Sequence, residues 1–175
     1  RAGESHARPR YTFSASAATQ EGFEPLSAIF TETADNEKEP AQLFFELLKG
    51  GLVEIKAAYP AGVIGSTAEN LRAAAEGEKH EWGTLYPNFA KVAEEEGFAD
   101  AARTFRMVAK VEAYHERRYR KLLENIELGK VFKKDKPVMW KCRNCGYVFE
   151  GKEVPEKCPV CAHPGSYFEL WCENY

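Results

Sequence analysis

A chain of 175 residues, 44% hydrophobic and 29% charged, has the size and balance of one good-sized globular domain, or of one domain with a small appendage. The net charge of -3 offers no footprint for nucleic acid or an anionic membrane surface, and no apolar run is long enough to cross a bilayer. All the cysteines lie between Cys142 and Cys172, which argues against a chain-wide disulfide framework and for a local metal site in a reducing, cytoplasmic setting.

In chain order, "RAGESHARPRYTF" opens without Met or a signal peptide and already reads as helix, so the sequence is expected to start part-way along its first helix. Glu4, Tyr11, Ala15 and Ala18 share one side of that helix, and Pro9 lies inside it. After a turn at Glu21-Gly22, the residues Phe23, Leu26, Phe30, Ala34, Glu37, Ala41, Phe44 and Leu48 recur at intervals of three and four. They predict one long helix closed by Gly50-Gly51. Fully extended, residues 49–65 reach roughly 55 Å, more than the about 40 Å of that helix, so this connection can run the length of a bundle. Ser66 with Glu69 predicts a capping box at the start of a third helix, whose stripe continues through Leu71, Ala75, Glu78, Glu81, Leu85, Phe89 and Val92. The fourth stripe is Phe98, Ala102, Phe105, Ala109, Glu112, His115, Tyr119 and Leu122.

The two halves repeat. The offset that takes Tyr11 to Tyr86 also takes Glu21-Gly22-Phe23 to Glu96-Gly97-Phe98, Phe30 to Phe105 and Glu37 to Glu112, and it sets Pro40 opposite His115. The expected fold is mainly α: a four-helix bundle with one long crossover over residues 1–129, a basic linker at 130–138, and a small β-rich metal-binding unit at 139–175.

Glu4, Glu37, Glu78, Glu81 and Glu112 all lie in apolar stripes. Any one of them alone reads as a helix-edge glutamate reaching water, but the set, joined by His115, points to a buried metal centre. Oxygen donors with an imidazole suit iron or manganese, and zinc less obviously. A bundle dimetal site takes a Glu from each of two helices and Glu-x-x-His from the other two. Glu4, Glu78 with Glu81, Glu112-x-x-His115 and Glu37-x-x-Pro40 match that scheme with one ligand missing. Tyr11 and Tyr86 suit either hydrogen bonds to these carboxylates or plain core packing. His6, His80 and His163 suit the surface or a supporting place.

In the tail, Cys142, Cys145, Cys158 and Cys161 form two C-x2-C knuckles, a tetrahedral thiolate site for iron or zinc. Trp140, Tyr147, Phe149, Tyr167, Phe168 and Trp171 are expected to cover it, with Cys172 a free thiol in the last strand.

Through "AGESHAR", "TADNEKE", "YPAGVIGSTAENL", "GEKHE", "EAYHER" and "CRNCGYVFEG…CPVCAHP", nearly the whole chain resembles the rubrerythrins, ferritin-like di-iron bundles followed by a rubredoxin-like domain. The resemblance implies a non-haem peroxidase of anaerobic or microaerophilic prokaryotes that reduces hydrogen peroxide to water. It implies di-iron ligands at Glu4, Glu37, Glu78, Glu81, Glu112 and His115, and a single iron held by the four paired cysteines. It also implies a homodimer in which the rubredoxin-like iron of one subunit serves the di-iron site of the other, and a rubredoxin or reductase as electron donor. In the family, position 40 is a histidine, and one iron shifts between it and the carboxylate at position 81. Proline has no donor atom and costs about 3 kcal/mol inside a helix. Either this protein has lost the ligand or the natural chain has another residue there, and the two helix-interior prolines favour the second reading. The rivals are a ferroxidase or iron-handling protein on the same bundle, and a non-catalytic zinc ribbon beside a degenerate bundle site.

Overall fold

Four rods of helix and a three-stranded sheet are seen over residues 2–174, the part of the chain that this computed structural model describes. The first rod is α1 (Ala2–Gln20) and the second is α2 (Glu24–Asn36) followed by α3 (Lys38–Glu46). The third joins α4 (Thr67–His80), a π-helical turn (Glu81–Leu85) and α5 (Tyr86–Glu95), and the fourth is α6 (Ala99–Glu127). The two hairpin turns are built alike. Gly22 and Gly97 take φ of 78° and 82°, which a side chain would resist, and the Phe23 and Phe98 N–H groups reach back to Ala18 O and Ala93 O at 2.8 and 2.7 Å. Both are Schellman closures.

The expected capping box is present at Ser66, whose N–H donates to the Glu69 carboxylate at 2.8 Å while its hydroxyl accepts from Glu69 N–H at 3.4 Å. The Thr67 N–H donates to Glu21 Oε1 at 2.8 Å, so α4 starts beside the end of α1. The crossover passes the other end of α1, where His6 meets Pro60. It therefore runs the length of the bundle and lays α4 parallel to α2.

Two rods depart from the simple helices expected. The second breaks at Glu37, because an unbroken helix would need an N–H at residue 40 and proline has none. The break puts Pro40 in the first turn of α3, where that donor has no intrahelical role. Chain continuity survives through Glu37 N–H to Thr33 O at 3.0 Å and Ala41 N–H to Glu37 O at 3.2 Å. Pro9, by contrast, lies within an unbroken α1. In the third rod the Tyr86 N–H reaches five residues back to Glu81 O. That widened turn precedes Pro87 and rotates everything after it. Phe89 and Val92, expected in the buried stripe, are 44% and 49% exposed, while Tyr86, Ala90 and Ala93 are buried in their place.

The main core gathers Leu26, Phe30, Leu71, Ala75, Tyr119 and Leu123, and a second cluster packs Phe44, Tyr86 and Val108. None of the described helices is long and apolar enough to cross a membrane.

Residues 130–138, expected as a linker, are largely strand: β1 runs Lys133–Cys142 between β2 (Val148–Glu153) and β3 (Phe168–Leu170), antiparallel to both. Trp140, Cys142, Cys158 and Phe168 form its core, with Tyr147, Phe149 and Tyr167 packed against it. Trp171 is not part of that cluster and lies under the Lys141 ammonium at 5.3 Å. Cys172 is exposed and lies beyond β3 rather than in it. Phe132 stacks on Phe23 at 6.1 Å, so the sheet sits at the α1–α2 turn.

Candidate metal centre

The bundle rods bring six ionisable side chains together. Glu4 comes from the first turn of α1 and Glu37 from the break between α2 and α3. Glu78 lies in the last turn of α4, Glu81 opens the π turn, and Glu112 and His115 share one face of α6. Their donor atoms fall into two groups, each within 4.8 Å: Glu37, Glu78, Glu112 and His115, and then Glu4, Glu81 and Glu112. Glu112 belongs to both. All are buried except Glu81, which is half-buried.

The charge balance is extreme. Burial drives the Glu37 carboxyl up to about 7, Glu112 to about 8 and Glu81 to about 10, and it raises Glu4 as well. Burial lowers His115, but the Glu112, Glu37 and Glu78 carboxylates override it and lift the ring to about 11. Left without cations, the cluster would hold extra protons. His115 Nδ1 lies 2.8 Å from Glu112 Oε2 and 3.3 Å from Glu37 Oε1, yet neither contact is aligned as a hydrogen bond. Both oxygens of Glu37 and of Glu112 find no hydrogen-bond donor among the described residues. Buried oxygens and an imidazole nitrogen that converge without satisfying one another have the donor set of hard divalent cations, and the residues present fit a pair of them.

Tyr11 and Tyr86, related by the repeat, take different places. The Tyr11 hydroxyl donates to Glu78 Oε1, and burial holds its own proton well above the usual range. Tyr86 packs between Phe44 and Phe105, at 5.6 and 6.0 Å, while its backbone N–H serves Glu81 O. Thr33 and Arg118 were not anticipated. Arg118 Nη2 donates to Thr33 Oγ1 at 2.6 Å and Nη1 to Glu32 Oε1 at 2.6 Å, tying α6 to α2 a turn from Glu37. The available signal was a threonine four residues before Glu37 on the same face. Pro40 is buried and offers no ligand atom.

In the small sheet the four cysteine sulfurs also lie within 4.8 Å of one another. The knuckles mirror each other: Gly146 N–H to Cys142 O and Ala162 N–H to Cys158 O are both 2.9 Å. Gly146 and Ala162 take left-handed φ of 79° and 59°. The backbone N–H of His163 donates to Cys161 and lowers this thiol to about 6. The Tyr147 N–H likewise donates to Cys145, but desolvation and the neighbouring cysteine thiols outweigh it and raise Cys145 to about 12. Preformed N–H donors aimed at thiolates suit a tetrahedral metal. His163 otherwise stacks edge-on against Tyr167 at 4.7 Å, and His80 is exposed.

Comparison with known proteins agrees with this geometry. The family model for rubrerythrin matches residues 1–123, and that for the rubrerythrin rubredoxin-like domain matches residues 140–169. The chain is 59% identical over 174 residues to rubrerythrin of Porphyromonas gingivalis, covering 99% of this chain and 87% of the relative. It is 50% identical over 174 residues to rubrerythrin of Nitratidesulfovibrio vulgaris, covering 99% and 91%. A solved structure of nigerythrin in its fully reduced, all-ferrous state superposes with a TM-score of 0.64 at 32% identity, covering 97% of this chain and 82% of that one. With a family model spanning most of the bundle and relatives matched along almost its whole length, the chain belongs to the rubrerythrin family.

Proposed function

We propose that this chain is a non-haem di-iron peroxidase that reduces hydrogen peroxide to water in the cytoplasm. Residues 1–129 would form the catalytic bundle and residues 139–175 an electron inlet. The observation that carries the reading is the pair of overlapping ligand groups that share Glu112, set in the same chain as a four-cysteine cluster. Glu4, Glu37, Glu78, Glu81, Glu112 and His115 would hold two irons, and Cys142, Cys145, Cys158 and Cys161 a third. Two ferrous ions held there would supply the two electrons that, with two protons, reductive cleavage of hydrogen peroxide to two waters requires. The protein supplies the rest. Burial keeps bulk water from the carboxylates, the Tyr11 hydroxyl fixes the orientation of Glu78, and the Thr33–Arg118 tie holds α6 against α2 behind His115.

The inlet lies far from the bundle centre in its own chain. The sheet packs on Phe23, and the helical path from there to Glu37 is about 20 Å. That separation supports a homodimer in which the cysteine site of one subunit serves the bundle of another, refilled by a rubredoxin or a reductase. Metal analysis of protein purified without oxygen tests the reading. Two bundle irons and one cysteine-bound iron, with peroxide consumed when reductant is supplied, support it. Rapid ferrous oxidation by oxygen with negligible peroxide turnover would favour iron handling instead. Pro40 favours one further rival, a degenerate bundle beside a zinc ribbon, and a colourless protein with zinc alone would establish it.

A further inference from the structure

Glu81, the half-buried member of the carboxylate cluster, forms the inner wall of a cavity of about 70 Å³ between α1, α4 and the crossover. Tyr11, whose hydroxyl meets Glu78, forms the wall beside it. A water molecule occupies about 30 Å³ in the liquid, so the space suits a solute of about two water volumes. Glycines on the two facing helices leave it open. A Cβ on Gly77 would meet nothing within 4 Å, and one on Gly3 would stand 4.0 Å from Glu81 Oε1.

The roof is Tyr59 and Pro60 of the crossover, a segment without helix or strand that is fastened on both sides. His6 Nε2 donates to Pro60 O at 2.7 Å, and its ring stacks on Tyr59 at 5.5 Å. On the far side the Asn70 amide exchanges two hydrogen bonds of 2.9 Å with the backbone of Gly65. The roof is thus tied to α1 by His6, and the crossover is tied to α4 by Asn70 at Gly65, five residues beyond Pro60.

We propose that this cavity is the passage by which a small hydroperoxide reaches the bundle centre, and that His6 is the latch that keeps the crossover in place as its roof. The pair makes the centre selective for hydrogen peroxide over bulky alkyl hydroperoxides. The inference rests on the peroxidase reading, and its test separates the two. Full-length, iron-loaded protein is compared with Gly77→Leu, which fills the cavity, with Ala73→Leu at its exposed mouth, and with His6→Ala.

Three quantities are read: the association rate of azide with the oxidised bundle centre by absorbance, the rates with hydrogen peroxide and cumene hydroperoxide, and amide exchange over residues 59–64. Both leucine variants should keep wild-type iron and slow azide and hydrogen peroxide together, by about tenfold or more. His6→Ala should speed exchange at 59–64 and raise the ratio of the cumene hydroperoxide rate to the hydrogen peroxide rate. Azide association at wild-type speed in either iron-replete leucine variant overturns the passage, and unchanged exchange and ratio in His6→Ala overturn the latch. If the wild type turns over no peroxide while the leucine variants still slow azide, the passage stands and the peroxidase reading falls.

Discussion

Glu112 has no exposed surface, belongs to both ligand groups and lies 2.8 Å from the His115 ring. Glu112→Gln keeps its shape while removing its charge, so both bundle metals should be lost and the cysteine-bound metal retained, as metal analysis of the purified variant would read. Glu81→Gln touches one group only and should spare the metal at the other. Pro40→His should restore an imidazole opposite His115 and raise peroxide turnover well above that of the parent. Equal turnover would mean that the ligand set without residue 40 suffices, and a tandem mass spectrum over residues 37–47 reads the native residue directly. In the knuckles, Ala162 holds a conformation that its counterpart Gly146 adopts freely. Ala162→Gly should stabilise the metal-loaded sheet by about 1 kcal/mol, visible as a raised melting temperature. The residues that converge in the bundle were legible because carboxylates inside apolar stripes have few other uses. Thr33 and Arg118 were not, since a polar side chain at the edge of a helical stripe looks the same whether it faces water or a partner helix.

At the scale of elements, the helices could be read from their apolar period and their interruptions could not. A period of 3.6 extends smoothly through residues 81–85, and both Phe89 with Val92 and Tyr86 with Ala90 give a plausible apolar face beyond them. Only Pro87, lacking the N–H that α-helical pairing would use, hints at the wider turn. Removing one residue, as in a deletion of Thr84, would rotate α5 by about 100° and expose Tyr86 in place of Phe89. The loss of Tyr86 burial alone should cost about 2 kcal/mol, measured by thermal denaturation, and an unchanged melting temperature would argue that the π turn sets nothing. Strand β1 was hidden for a different reason. Its lysines and Pro137 resemble a solvated connection, and its first half pairs irregularly with β2, which is where an edge-tolerant proline fits.

For the whole molecule, the bundle has an extensive apolar core of its own, whereas the small sheet encloses little beyond Trp140, Phe168 and its cysteines. Chelation that strips the cysteine site should therefore unfold the sheet and leave the helical signal in the far ultraviolet largely intact, because metal binding and folding are one equilibrium in so small a unit. Loss of helicity in step with the metal would contradict this. The global topology was legible from the repeat and from a crossover long enough to invert the second hairpin. The seat of the sheet against Phe23 was not, because Phe98 carries the same motif and is left 61% exposed.

The carboxylate–histidine cluster of the bundle and the four-cysteine cluster of the sheet share no side chain, and a long stretch of helix separates them. Each can be filled, emptied or wrongly metallated while the other stays as it was. Counting only full and empty clusters, a preparation is therefore a mixture of up to four metallation states, and colour from a thiolate-bound metal says nothing of how much of the bundle is loaded. Activity per milligram measures occupancy and chemistry together, so rates for variants of this protein carry meaning only when divided by the fraction of chains with both clusters full.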